Sequence, residues 1–230
     1  MAYTFRAATS TTPGSGTTLT VTKPAGVVDG DLLVAVGYTE GAWSSGGAGW
    51  NSSSDIEVSN TGGTFLVKVW WKIAASEPAN WTWTSTSAWR GVSCAAYSGA
   101  LGTGTSRVDK FSSNAGDGIT AINQTAPSVT PSVDGDLVVY AYGNLNGTAV
   151  TACVGFCTNV RVDPGGVCIA DAVQGTAAAT GTTRPSAGPG TEDFAALHVA
   201  FFLDTGSAGG TDLSVGAGAL GEPVIGGSTF

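Results

Sequence analysis

An all-β protein is what the sequence predicts, a jelly-roll-like antiparallel β-sandwich with two pseudo-repeated halves and an extended C-terminal arm. Three observations carry this expectation. Apolar residues alternate with period two over most of the chain. Gly and Pro punctuate the segments between, with Gly supplying 35 of the 230 residues. No segment keeps a helical period. Hydrophobic residues make up 42% of the chain, enough to build a core, while charged residues make up only 11%, far below the quarter common in globular domains. A disordered chain shows the opposite balance.

The elements follow in order. Thr18-Leu19-Thr20-Val21-Thr22 reads as a strand of β-branched residues ended by Lys23-Pro24. Asp31 to Tyr38 is a nearly continuous apolar run, the pattern of a central strand covered on both faces. From Thr64 to Ile73, Phe65, Val67, Val69 and Trp71 share one face, and Lys68, Trp70 and Lys72 share the other. Trp81 and Trp83 point one way, Thr82 and Thr84 the other. Val92, Cys94 and Ala96 form one face of a strand that Ser98-Gly99 closes. Leu137 to Tyr142 is a second buried run, followed by strands over Val167 to Val173 and Phe194 to Leu203. Ala74 to Glu77 is the one place where a helical turn is conceivable.

The chain also echoes itself. Val21-Thr22-Lys23-Pro24 followed by Asp29-Gly30-Asp31-Leu32 compares with Val129-Thr130-Pro131 followed by Asp134-Gly135-Asp136-Leu137. Each half runs from a β-branched strand through a Pro turn and an Asp-Gly-Asp turn into a buried strand, and closes on an aromatic-rich strand. Duplication of a half-sandwich is the favoured reading, against chance similarity of turns in a Gly-rich chain. No linker divides the halves, so residues 1–205 are expected to form one continuous sandwich. Residues 206–230 differ, being Gly, Ala and Ser with sparse apolar side chains. Each ordered residue costs roughly 1–2 kcal/mol of backbone entropy, and this segment has too few large side chains to offset that alone. It is expected to be an assembly arm, with Leu213, Val215, Leu220, Val224, Ile225 and Phe230 filling pockets on a neighbour.

The formal net charge of −8 and the nine scattered Lys and Arg leave no basic footprint for nucleic acid. No apolar run reaches the roughly 18 residues a membrane span needs, and the start of the chain lacks the pattern of a signal peptide. Synthesis in a cytoplasm is therefore expected, where Cys94, Cys153, Cys157 and Cys168 are more often thiols than bridges. Later oxidation leaves either a Cys157–Cys168 or a Cys153–Cys168 bridge open. The C-x3-C spacing of Cys153 and Cys157 has no second pair, so no metal or other cofactor is expected.

Catalytic chemistry finds little to use. The single histidine, His198, shares a strand face with Phe194, Ala196, Ala200 and Phe202, which reads as packing and not as a triad member. The G-x-G-x-x-G match at Gly216, Gly218 and Gly221 is followed by Pro223 and lacks the helix that dinucleotide binding requires. Asp29, Asp31, Asp134 and Asp136 have the carboxylates for calcium or for a glycosidase pair, but Asp-Gly is a turn dipeptide and each pair directly precedes a buried strand. No catalytic residue is assigned, and the chain is expected not to be an enzyme. All seven tryptophans lie between Trp43 and Trp89. Trp71, Trp81 and Trp83 are assigned to the core. Trp43 and Trp50, in the Gly/Ser-rich loop Ala42 to Asn51, and Trp70, on the lysine-bearing face, are expected to contact a partner protein or a glycan.

Thr20 to Tyr38 resembles a β-sandwich module of tailed-bacteriophage virion proteins, in which a Pro turn leads into a Gly-Asp-Leu strand. Lys72-Ile73-Ala74, Glu77-Pro78, Trp81-Thr82-Trp83 and Ala96-Tyr97-Ser98-Gly99 extend the likeness from Thr18 to Gly99. The second half matches only through its Asp-Gly-Asp-Leu turn. The resemblance implies a structural virion component, a minor tail protein or a head decoration protein, with the tail favoured. Its partners would be other virion proteins and further copies of itself. The alternative is a carbohydrate-binding module for a host-surface glycan.

Overall fold

The computed structural model describes residues 3–202 apart from 15, 52–55, 61, 64, 87–88, 100–106, 121–122 and 187–189. The C-terminal arm, the Gly216–Gly221 motif and the six proposed arm anchors lie outside the described residues. The first half comprises β1 (Thr4–Ser10), β2 (Thr18–Thr22), β3 (Leu32–Thr39), β4 (Trp43–Ser45), β5 (Glu57–Ser59), β6 (Leu66–Ile73), β7 (Asn80–Ser85) and β8 (Arg90–Ser98). The second comprises β9 (Val108–Thr120), β10 (Leu137–Asn144), β11 (Cys153–Gly155), β12 (Asn159–Val162), β13 (Val167–Val173), β14 (Thr183–Pro185) and β15 (Thr191–Phe201). Ala74 to Glu77 is a bend and makes no helical turn. Ser76 there adopts a φ of +52°.

The strands form antiparallel sheets packed in layers. One five-stranded sheet has the order β1-β8-β3-β6-β5, and the other β12-β13-β10-β15-β9. Their inner faces meet in the largest apolar core, which joins Leu32, Val34, Val36, Phe65, Val67 and Val69 to Leu137, Val139, Ala141, Ile169, Leu197 and Phe201. The three-stranded sheet β2-β7-β4 covers the outer face of the first large sheet. The two-stranded sheet β11-β14 covers the outer face of the second, together with Ala126 and Val129.

The two large sheets share a core, but the described residues are not a single pair of sheets. The reason lies in the uninterrupted apolar strands. Every residue of β3 and of β10 is buried, so both faces of each large sheet need a cover.

The two halves follow the same plan. In the first, β1 pairs with β8, β2 with β7, and β3 with both β6 and β8, while β4 joins β7 and β5 joins β6. In the second, β9 pairs with β15, β10 with both β13 and β15, β11 with β14, and β12 with β13. A bridge from Ala126 to Thr183 of β14 takes the place of the β2–β7 pairing. The register agrees as well. Leu32 lies opposite Ile73 and Tyr97, and Leu137 lies opposite Val173 and Phe201.

Both Asp-Gly-Asp turns are built alike. The Gly30 N–H donates to the Ala74 carbonyl at 2.9 Å and the Ala74 N–H to the Asp31 carbonyl at 2.8 Å. Gly135 and Gln174 repeat the first bond, and Gln174 and Asp136 the second, each at 2.8 Å. Asp29 Oδ1 accepts the Ser76 N–H at 2.7 Å, and Asp134 Oδ1 accepts the Ala177 N–H at 2.6 Å. Gly30 and Gly135 have φ of +92° and +86°, a region that glycine enters without a Cβ penalty.

Polar contacts cross between the large sheets. The Tyr97 hydroxyl donates to Asp171 Oδ2 at 2.9 Å, and Arg161 grips the same carboxylate through Nε at 2.6 Å and Nη2 at 2.9 Å. The Arg161 guanidinium also lies 4.3 Å from the centre of the Phe5 ring, so residues of both halves converge on Asp171. Gly143 marks the closest approach, since a Cβ there would fall 2.5 Å from Val67 Cγ2 and 3.2 Å from Tyr38 Cβ. Tyr97, opposite Leu32, reaches Asp171, opposite Val139, while Ser93, opposite Val36, donates to the carbonyl of Val167, opposite Gly143, so β3 and β10 run in the same sense and both Asp-Gly-Asp turns lie at one end.

Gly143→Ala is accordingly expected to destabilise the whole body by about 1–3 kcal/mol through overpacking. Urea unfolding followed by Trp fluorescence, which reports the first half, and by an exchange-protection probe in the second half should show one shifted transition in both signals.

Candidate functional site

The tryptophans form the densest chemical feature of the molecule. Trp70 points from β6 toward the three-stranded sheet, where Trp83 meets it at 6.1 Å between ring centres and Trp43 at 5.1 Å, edge to face. Trp50 packs against Trp81 at 5.2 Å and Trp83 at 5.5 Å. The loop carrying Trp43 and Trp50 is Gly-rich because it lies directly on these rings. A Cβ at Gly46 would come within 2.8 Å of Trp70 Nε1, and one at Gly47 within 2.7 Å of Trp50 Cδ1.

The expectation for Trp50 and Trp70 therefore needs correction. Trp70 is 1% exposed and Trp50 9% exposed, so both are core side chains. Trp43 is half-buried. The lysine-bearing face of β6 is not open to solvent, because β2, β4 and β7 cover it. Lys72 Nζ lies 2.8 Å from Glu77 Oε1 and over the Trp50 ring, and the Trp81 Nε1–H donates to Glu77 Oε2 at 3.1 Å. Trp71, Trp81 and Trp83 are buried, as expected. The tryptophan open to solvent is Trp89, 52% exposed, at the edge of a described segment just before β8. Its place between Ala88 and Arg90 gives no alternation from which exposure could be read.

The aspartates act as turn ties. Asp31 is buried, accepts the Val28 N–H at 3.0 Å and pairs with Arg6 Nε at 2.7 Å. Asp136 is buried too. Among the described residues no group of three or more His, Cys, Asp or Glu is placed to hold a metal ion, and no helix is long and apolar enough to cross a membrane. All four cysteines are buried free thiols.

His198 is fully buried on β15. Its Nδ1–H donates to the Pro127 carbonyl at 2.8 Å, and its ring meets Tyr140 edge-on at 5.9 Å. Burial pushes its pKa from the ordinary 6.5 down to about 4. The imidazole is thus a neutral packing element within the second outer core.

The surface carries a different signal. Val28 and Val133 hold equivalent places in the two Asp-Gly-Asp turns, and they are 51% and 39% exposed. Val173, 41% exposed, is at the same end through its pairing with Leu137. Sequence reasoning passed over these residues because it concentrated on the aspartates beside them.

Comparison with known proteins found no matching family model, no matching curated protein and no matching solved structure.

Two outcomes follow from this geometry. Trp70→Ala should lower stability by about 3–5 kcal/mol, whereas Trp89→Ala should change it by no more than about 0.5 kcal/mol, as read by chemical denaturation. His198 should make stability pH-dependent. Its folded pKa lies below its unfolded one, so the unfolded chain binds more protons between about 4 and 6.5. The stabilisation is complete above pH 6.5 and is lost as the pH falls toward 4, by up to roughly 3 kcal/mol. Burial raises the Asp163 carboxyl to about 6, which acts in the opposite sense. Its contribution is present below pH 4 and lost as the pH rises through 6. Comparing wild type with folded His198→Gln across pH 4–7 isolates the histidine, and parallel stability curves for the two proteins would refute its assignment.

Proposed function

We propose that this protein is a structural component of a tailed-bacteriophage virion, a minor tail protein in the first instance, which works through protein–protein contacts and catalyses no reaction. The nested pairing of the first half, β1 with β8, β2 with β7 and β3 with β6, supports a jelly-roll-like reading, and the second half repeats part of it, β9 with β15 and β10 with β13. The two halves stack through their larger sheets. The observation that carries the reading is the Asp-Gly-Asp turn, one of the motifs of the Thr18–Gly99 resemblance and the single one that recurs in the second half. In both halves it fixes a buried central strand and presents an exposed valine at one shared end of the molecule. Val28 and Val133, with few charges around the surface as a whole, suit a face that neighbours cover in an assembly.

A head decoration protein is the nearest variant of this reading. The glycan-binding alternative loses its original motive, because two of the three tryptophans proposed to line a sugar groove are core residues. It now rests on Trp89 and half-buried Trp43.

The arm of residues 206–230 is the proposed attachment segment, with Phe202 leaving the body beside Tyr3, whose hydroxyl donates to the Phe202 carbonyl. A protein truncated after Asp204 should unfold at the same denaturant concentration as the full chain and fail to enter particles. Incorporation is measured by mass spectrometry of purified virions from a complementation assay. Equal incorporation of both forms would rule out the arm's role, and absence of the full-length protein from virions would rule out the virion assignment itself.

A further inference from the structure

Four strands bound the two large sheets, β1 and β5 in one and β12 and β9 in the other, and their edges are not alike. β5 has three residues and β12 four. β1 carries Arg6 and β12 carries Arg161. Shortness and charge are the usual guards against further pairing at a sheet edge. β9 runs for 13 residues, and its middle, Phe111 to Gly116, holds no charged side chain. Among the described residues it pairs with β15 alone, so one side of its backbone remains for another strand. Phe111, in that uncharged middle, is 41% exposed, and Ser113 is exposed too.

The chain leaves the body beside this edge. Val108, the first residue of β9, lies opposite Phe201, and the Phe202 N–H donates to the Arg107 carbonyl at 2.8 Å. Farther on, Thr211-Asp212-Leu213-Ser214-Val215-Gly216 has the alternation of a half-buried strand. On the reading of residues 206–230 as an attachment segment, we propose that Thr211 to Gly216 of one copy adds as a strand to the β9 edge of a second copy. Leu213 and Val215 then pack beside Phe111, and backbone hydrogen bonds hold the strand in place. The partner is a second copy because the chain's own arm is poorly placed. Leaving at the start of β9, that arm has to run parallel to it. Parallel strands pair slightly less stably and are joined by connections of a dozen or more residues, whereas only residues 203–210 separate Phe202 from Thr211. The arm of a second copy meets no such limit and can pair antiparallel. Each copy offers one edge and one arm, so the contact can repeat from copy to copy.

The test is sedimentation velocity of the full-length protein across the micromolar range, with hydrogen exchange of the β9 amides at the same concentrations. The weight-average mass should rise with concentration, and β9 exchange should slow as it does. Val215→Pro, which removes a donor from the arm, and Ser113→Lys, which charges the edge, should each weaken the association by roughly tenfold with the unfolding midpoint unchanged. Combined, they should weaken it by less than the product of the two effects, because both act on one contact. A mass that stays monomeric at every concentration overturns the proposal, also where Val215→Pro speeds β9 exchange, since the arm then covers the edge of its own copy. Association that either substitution leaves intact overturns it as well. These results are distinct from failure of the attachment reading, which shows separately as equal entry of truncated and full-length protein into particles.

Discussion

The structure depends on the burial of one five-stranded sheet against another. Neither half could stand in its present form without that contact, because the inner face of each large sheet is a continuous apolar surface. Leu32, Val34 and Val36 of β3 and Leu137, Val139 and Ala141 of β10 would otherwise face water. At roughly 25 cal/mol per Å² of apolar area, this is the dominant favourable term available to the fold. Gly143 is a consequence. Two sheets that close together need a residue without a side chain where their backbones come nearest. Asp171 is another, since a carboxylate brought into that contact has to be matched by Tyr97 and Arg161.

The outer layers solve a second problem with the same means in each half. A strand buried on both faces exposes an outer apolar surface once the inner one is covered. The first half covers it with β2, β4 and β7 and a set of tryptophans. The second uses β11, β14 and a segment through Ala126, with tyrosines and cysteines in place of tryptophans. The fillers differ while the strand pairing and the turn hydrogen bonds agree. This separates what the backbone plan demands from what packing tolerates. It also explains why three thiols collect in the second half, where small polarizable side chains fill the room that indoles occupy in the first.

The low charge and the many hydroxyl residues are likewise shared consequences of the layering. Outward-facing positions such as Thr18, Thr20 and Thr22 alternate with buried Leu19 and Val21, and Thr82 and Thr84 pair with them across β7. Thr is compatible with a strand for the same reason Val is, so a β protein keeps its outer faces polar without ions. A virion component hemmed in by neighbours is consistent with such a surface, and this connects the composition to the proposed role.

Eight of the strands, among them the two central buried runs, and the Asp-Gly-Asp turns were legible in the sequence, because alternation and Asp-Gly dipeptides are local properties fixed by the backbone. Asp29 and Asp134 could be assigned to turns on that basis, and His198 to packing. The fate of Trp50, Trp70 and Trp89 was not legible. Alternation tells which residues share a face, but not which face another sheet will cover. Trp70 stands beside Lys68 and Lys72, and only in the folded chain do Glu57 and Glu77 pair with those lysines while β2, β4 and β7 close over Trp70. The sequence by itself determined the all-β class, the long central strands and the Asp-Gly-Asp turns, but not β1, β4, β5, β9, β11, β12 or β14, whose mixed patterns carry no clean alternation. The tertiary structure alone decided the layering, and with it which aromatic and thiol side chains are core and which meet solvent, because burial depends on what packs from elsewhere in the chain.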